Sequence, residues 1–113
     1  MPRIILVDHD KSTSWKVALE RAGYSVLKAT TPSSALAFLT SQNVDLVILG
    51  RIFPVVVMQW LIDMLRKTGT PVIAIYSGNP DPVLKATAYV NVADGPSALL
   101  SIVQSIAPGS SQG

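Results

Sequence analysis

The chain has 113 residues, 49% hydrophobic and 14% charged, which fits one domain with one core and excludes a disordered chain. Its net charge of +2 comes from scattered Lys and Arg residues rather than from a basic patch, so no nucleic-acid partner is expected. Cysteine is absent, which excludes disulfides, thiolate catalysis and Cys-ligated metals.

Five short β-type runs alternate with helical stretches, a pattern typical of a parallel sheet with helices on both faces. In chain order we predict a strand over 3–7, a helix over 12–22, a strand over 25–29, a helix from Pro32, a strand over 45–49, a helix over 56–67, a strand over 72–76, a strand over 88–92 and a helix over 96–106. Gly23 is expected to end the first helix, and Thr31 to cap the second. The segment between the last two strands has room for about two helical turns at most.

Residues 1–107 are therefore expected to form one domain, followed over 108–113 by a polar tail that we expect to be disordered. No apolar run reaches the ~20 residues that span a bilayer. The N-terminus shows no signal-peptide pattern. These features predict a cytoplasmic location and no membrane partner.

The third predicted helix is more apolar than one buried face requires. Val57, Leu61 and Leu65 would already cover the sheet, yet Trp60 and Met64 form a second row, where an amphipathic surface helix is normally polar. Aromatic and Met residues are favoured at interface cores. Their commoner position is the protein core. Trp60 and Met64 are thus interpreted either as a partner or dimer surface or as part of a wide core.

The first and third strands end in residues of contrasting chemistry. Asp8, His9 and Asp10 follow the first strand, whereas Gly50 follows the third. Because the C-terminal ends of parallel strands open onto one crevice, we expect these four residues at the ligand-binding edge of the sheet. An acidic cluster facing a glycine is the pattern of a catalytic pocket without its central carboxylate.

Taken together, the motifs resemble the receiver domain of bacterial response regulators over nearly the whole chain, up to about Ile106. The matching segments are 4–10, 22–24, 44–49, Pro54, 71–75 and 95–96. The resemblance implies a flavodoxin-like (βα)5 fold with a parallel five-stranded sheet of order 2-1-3-4-5. In this chain the fourth helix of that fold would be shortened.

A receiver of this family holds Mg²⁺ with acidic residues after strand one and with a phospho-accepting Asp at the end of strand three. By the resemblance, Asp8 and Asp10 match acidic positions, and His9 stands where a second acid is common. Gly50 matches the phospho-acceptor. In the family, an Asp-Gly turn follows the proline that Pro54 matches. In this chain the apolar run over 55–58 replaces that turn.

Two further positions of the family bind the phosphoryl oxygens. Ser77 is favoured for the hydroxyl position, although counting from Pro71 selects Tyr76 instead. Val92 matches the lysine position and cannot donate a hydrogen bond. A lysine left beside Gly50 without its acidic partner would be a partly buried, unpaired cation, which is energetically costly. Loss of the lysine together with the phospho-accepting Asp avoids this cost. This coupled loss indicates a degenerate phosphorylation pocket.

The polar residues of this pocket have structural alternatives. Asp8 and Asp10 can cap the following helix, or they can bind a divalent cation such as Mg²⁺ weakly. His9 is the only histidine, so a transition-metal site is not expected. Nothing in the sequence places His9 and Ser77 in a catalytic relay, so we expect no enzymatic activity and no other cofactor.

The sequence therefore predicts an atypical receiver, or pseudo-receiver, of a bacterial two-component system. It would act as a phosphorylation-independent interaction module that binds a signalling protein, or a second copy of itself. Two alternatives remain open. The chain could be a small-ligand sensor that uses the crevice beside Gly50, or an inert, diverged receiver within a larger assembly.

Overall fold

The structure is a computed structural model that describes residues 3–7, 14–41, 43–50, 55–76 and 86–106. Its five strands are β1 (Arg3–Val7), β2 (Ser25–Ala29), β3 (Leu46–Leu49), β4 (Val72–Tyr76) and β5 (Ala88–Asn91). The helices of the described ranges are α1 (Ser14–Arg21), α2 (Pro32–Ser41), α3 (Val55–Lys67) and α4 (Gly95–Ile106), and a 3₁₀ turn over Val92–Asp94 leads into α4.

All strand pairings are parallel, and the strand order is β2-β1-β3-β4-β5. The predicted flavodoxin-like architecture and sheet order are thereby confirmed. The predicted short helix between β4 and β5 lies outside the described residues, and so does the predicted tail over 108–113.

The interior strand β1 explains the layered architecture. Ile4, Ile5, Leu6 and Val7 are all completely buried, so both faces of this strand need a covering layer. Ile4 and Leu6 belong to one core cluster, and Ile5 and Val7 belong to the other. A sheet with this strand in its interior therefore needs helices on both sides.

The first core cluster is closed by α1 and α4. Trp15 and Leu19 of α1 pack with Leu99 and Val103 of α4, and all four side chains are buried. At the end of α1, Gly23 has a φ of 98°, the left-handed conformation that glycine adopts at low cost. There the N–H of Tyr24 donates to the carbonyl of Leu19 at 3.1 Å. The predicted stop at Gly23 is confirmed.

The second core cluster is closed by α2 and α3. Thr31 caps α2 as predicted, because its Oγ1 accepts a hydrogen bond from the N–H of Ser34 at 3.1 Å. Ala35 of α2 is buried, while Leu36 and Leu39 are partly buried against the same cluster. On α3, Met58, Leu61, Ile62 and Leu65 are buried.

Several predicted boundaries shift by one residue: α1 ends at Arg21 instead of residue 22, and α4 begins at Gly95 instead of residue 96. Asp45 precedes β3 instead of opening it, and its carboxylate accepts a hydrogen bond from the N–H of Arg3 at 2.8 Å. β5 ends at Asn91 because Val92 already belongs to the 3₁₀ turn. α3 begins at Val55, one residue earlier than predicted. In the described parts of the chain, none of the helices combines the length and the apolar character needed to cross a membrane.

The cap of α2 yields a stability prediction with an internal control. Thr31→Ala removes the side-chain acceptor of the Ser34 N–H and should lower the free energy of unfolding by about 1 kcal/mol. Thr40→Ala makes the same chemical change near the other end of α2, where the Thr40 hydroxyl donates to a carbonyl of its own helix. Because alanine is the better helix former, this variant should stay within about 0.5 kcal/mol of wild type.

Urea unfolding followed by circular dichroism measures both values. Equal losses in the two variants would show that Thr31 has no capping role.

Candidate functional site

The candidate site lies where the C-terminal ends of β1 and β3 meet. Val7 pairs with Leu49 in the parallel ladder, and the N–H of Gly50 donates to the carbonyl of Val7 at 2.7 Å. This short hydrogen bond holds the buried Gly50 directly beside the end of β1. Asp8, His9 and Asp10 follow Val7 in the chain and lie outside the described residues. Their predicted roles stay predictions.

The backbone at Gly50 does not demand a glycine. Among the described glycines, Gly23, Gly69 and Gly95 have positive φ, and Gly50 is not one of them. A residue with a side chain can therefore adopt the backbone conformation of Gly50 without entering the left-handed region. What this position lacks, relative to a receiver phospho-acceptor, is the carboxylate itself.

The ends of β4 and β5 contribute to the same edge of the sheet. Tyr76 pairs with Asn91, and each is the last residue of its strand. Ser77 lies outside the described residues, so the choice between Ser77 and the half-buried Tyr76 for the hydroxyl position stays open. Val92 follows Asn91 at this edge and opens the 3₁₀ turn.

Asn91 is a structural residue that the sequence analysis did not single out. Its Oδ1 accepts a hydrogen bond from the N–H of Ala93 at 3.0 Å, spanning Val92. Asn side chains commonly bond the backbone two residues further on, and this competes with continuation of a strand. The signal was present in the sequence as an Asn near the predicted strand end. This bond sets the path of the backbone at the position where the family has its lysine.

Metal binding at this edge would depend on residues outside the described ranges. Within the described ranges, no group of three or more His, Asp or Glu side chains is placed to hold a metal ion. Gly50 has no side-chain ligand to offer, so the end of β3 supplies no carboxylate beside those predicted at Asp8 and Asp10. The donor set thus lacks the third carboxylate that the receiver family places around its Mg²⁺.

A cavity of about 450 Å³ lies at the opposite edge of the sheet, before β4 and β5 begin. It is lined by Ile62, Arg66, Gly69, Thr70, Pro71, Val72, Ala86 and Thr87. The Oγ1 of Thr87 accepts a hydrogen bond from the N–H of Val72 at 3.1 Å, which ties the two sides of this cavity together. The cavity is separate from the crevice beside Gly50, where the predicted ligand alternative would bind.

The solvent side of α3 carries a continuous stripe of side chains. We call Val56, Trp60, Asp63, Met64 and Lys67 the outer face of α3; their spacing of three and four residues places them on one side of the helix. Val56 is 79% exposed and Trp60 is 47% exposed, while Met64 is half-buried. The interpretation of Trp60 as a core residue is therefore wrong.

Two details of α3 differ from the prediction. Val57 is only partly buried, whereas Met58 is 1% exposed and takes the expected place of Val57 against the sheet. As the predicted start of the helix, Val56 has no predicted face. Its spacing of four residues from Trp60 was the signal that it shares the outer face.

Comparisons with known proteins identify the fold in which this site lies. No protein-family model matches the chain, and no curated protein matches it. A response regulator from Thermotoga maritima superposes with a TM-score of 0.80 at 27% identity, over 94% of this chain and 97% of that one. A receiver domain protein (CheY-like) from Methanospirillum hungatei gives a TM-score of 0.75 at 24% identity, over 93% and 92%. The chain has the receiver-domain fold.

A further match comes from a crystal structure of the histidine kinase ThkA in complex with the response regulator protein TrrA. It has a TM-score of 0.79 at 25% identity, over 95% of this chain and 99% of the matched chain. Because each comparison covers nearly the full length of both chains, the likeness extends over the whole receiver fold. In this chain, the residue that follows β3 of that fold is Gly50.

The different exposures of the two tryptophans can be tested in solution. Trp15 is 8% exposed and Trp60 is 47% exposed, and the chain has no other tryptophan. Acrylamide should quench the fluorescence of Trp60 several-fold more efficiently than that of Trp15, because the quencher must touch the indole ring.

The variants Trp60→Phe and Trp15→Phe isolate the two signals. We expect the Trp60→Phe variant to retain only the protected emission, and the Trp15→Phe variant to retain only the quenched emission. Equal quenching in the two variants would contradict the exposed position of Trp60.

Proposed function

We propose that this chain is an atypical receiver domain that acts in signalling as a phosphorylation-independent protein-interaction module. The observation that carries the proposal is Gly50, which lies at the end of β3 with its N–H bonded to the end of β1. A phosphorylation-dependent receiver needs a nucleophilic carboxylate at this point, because the acyl phosphate forms on it. Glycine has no atom that can take this role.

The position of Val92 supports the same conclusion. Its backbone follows β5 and opens the 3₁₀ turn, at the edge of the sheet where the phosphoryl group of a receiver would be bound. A valine side chain can neither donate to a phosphoryl oxygen nor pair with a carboxylate. The absence of both the acceptor and the lysine supports a signal that does not depend on phosphorylation at position 50.

A signalling protein is the proposed partner. The response regulator TrrA, whose complex structure matches this chain, is bound there to the histidine kinase ThkA. By analogy we propose that this chain also binds a protein of a signalling system, through a surface that is always available. We further propose that the chain has no enzymatic activity of its own and that it works in the cytoplasm.

The proposal is tested by incubating the protein with acetyl phosphate and Mg²⁺ and measuring its intact mass. Wild type should gain no phosphoryl group. Gly50→Asp supplies the missing carboxylate, and Gly50→Asn provides a side chain of nearly the same shape without a nucleophile. We expect phosphoryl label only in Gly50→Asp, since it alone has an acceptor at the end of β3.

A phosphorylatable response regulator in the same reaction verifies that the reagent is active. Peptide mapping distinguishes an aspartyl phosphate from acetylated lysines. Stoichiometric labelling of an aspartate in the wild-type chain would overturn the proposed function.

A further inference from the structure

The outer face of α3 exposes more apolar surface than a solvent-facing helix needs. Four large apolar side chains of the described residues are exposed, and two of them, Val56 and Trp60, lie one helical turn apart on this face. Met64 extends the row by another turn. Single exposed apolar residues are common on protein surfaces, whereas a contiguous apolar row often marks an interaction site.

This apolar row is symmetric about its centre. Val56 and Met64 each lie four residues from Trp60, on opposite sides of it along the helix. If a second α3 packs antiparallel across a two-fold axis at Trp60, Val56 of each copy faces Met64 of the other, and the two Trp60 side chains meet. A two-fold interface requires this kind of self-complementarity, because each contact occurs twice.

The charges on the same face select the antiparallel arrangement. Asp63 and Lys67 are exposed and lie beyond Trp60, toward the C-terminal end of α3. Parallel helices would place Asp63 against Asp63 and Lys67 against Lys67, and such like-charge contacts are costly. In the antiparallel pair the two Asp63 carboxylates are separated by about 9 Å along the helix axis. The charged residues then flank an apolar centre, which is the usual arrangement of an interface.

We propose that the outer face of α3 is a homodimer interface in which two copies pack antiparallel about Trp60. The inference deepens the proposed function and rests on it, because it names a second copy as the occupant of a surface that is always available. A contact confined to one helix face is small beside the ~800 Å² per partner of a standard interface. The dimer is therefore expected to be weak, with monomer and dimer in exchange.

Sedimentation velocity over about 10 µM to 1 mM measures this equilibrium directly. The average mass should rise from monomer toward dimer across this range. Val56→Lys places a charge inside the apolar row and should leave a monomer throughout. Val17→Lys is the matched control, because Val17 is also an exposed valine on a helix, with 42% exposure, but lies on α1.

A chain that stays monomeric to 1 mM would overturn the proposal. Equal dimerisation of Val56→Lys and Val17→Lys would also overturn it, because another surface would then form the dimer. Neither result would change the outcome of the acetyl phosphate experiment, which measures phosphorylation. Labelling of a wild-type aspartate would likewise not change the sedimentation result, which measures dimerisation. The two failures are thus distinguishable.

Disulfide trapping tests the antiparallel geometry in a chain that has no cysteine of its own. Mild oxidation of a mixture of Val56→Cys and Met64→Cys should cross-link one variant to the other. Val56→Cys alone should not cross-link, because the two copies of position 56 are about 12 Å apart along the antiparallel axis. Efficient cross-linking of Val56→Cys to itself, with no disulfide between positions 56 and 64 in the mixture, would overturn the antiparallel dimer.

Discussion

The burial of both faces of the β1–β3 pair is the constraint on which the rest of the molecule depends. All residues of these two strands except Arg3 are at most 1% exposed. Parallel strands of this kind are stable only under a layer of helices on each side. The constraint places α1 and α4 over one face and α2 and α3 over the other. It also gives α3 a face against the sheet and a face toward solvent.

The same constraint separates the stability of the fold from the chemistry at its C-terminal edge. The two core clusters are built from apolar side chains of the described strands and helices. The hydrogen bond from Gly50 to Val7 uses only backbone atoms, so it does not depend on a carboxylate at position 50. A receiver fold can therefore keep its architecture after its phospho-acceptor is gone, since function depends on the site and not on the fold.

The parts of the fold that could be predicted from the sequence are those with one dominant local signal. β1, β2 and β4 are short apolar runs between turn residues, and their predicted bounds match the structure. The sequence was less informative where two signals compete. On α3 both sides of the helix are apolar, so its rotation could not be deduced, and Val57 was placed against the sheet instead of Met58. At the end of β5, the Asn91 side chain bonds the backbone and ends the strand before Val92.

These competing signals on α3 also connect the fold to its proposed function. A second apolar row on a surface helix cannot be explained by the sheet, because Met58, Leu61, Ile62 and Leu65 already cover it. In a working receiver, a covalent phosphoryl group determines which surface is available. Under the proposed function, association of this chain would vary with its concentration, because binding of a second copy shifts the equilibrium by mass action. A weak, symmetric contact suits such control, since its occupancy changes most when the concentration is close to the dissociation constant.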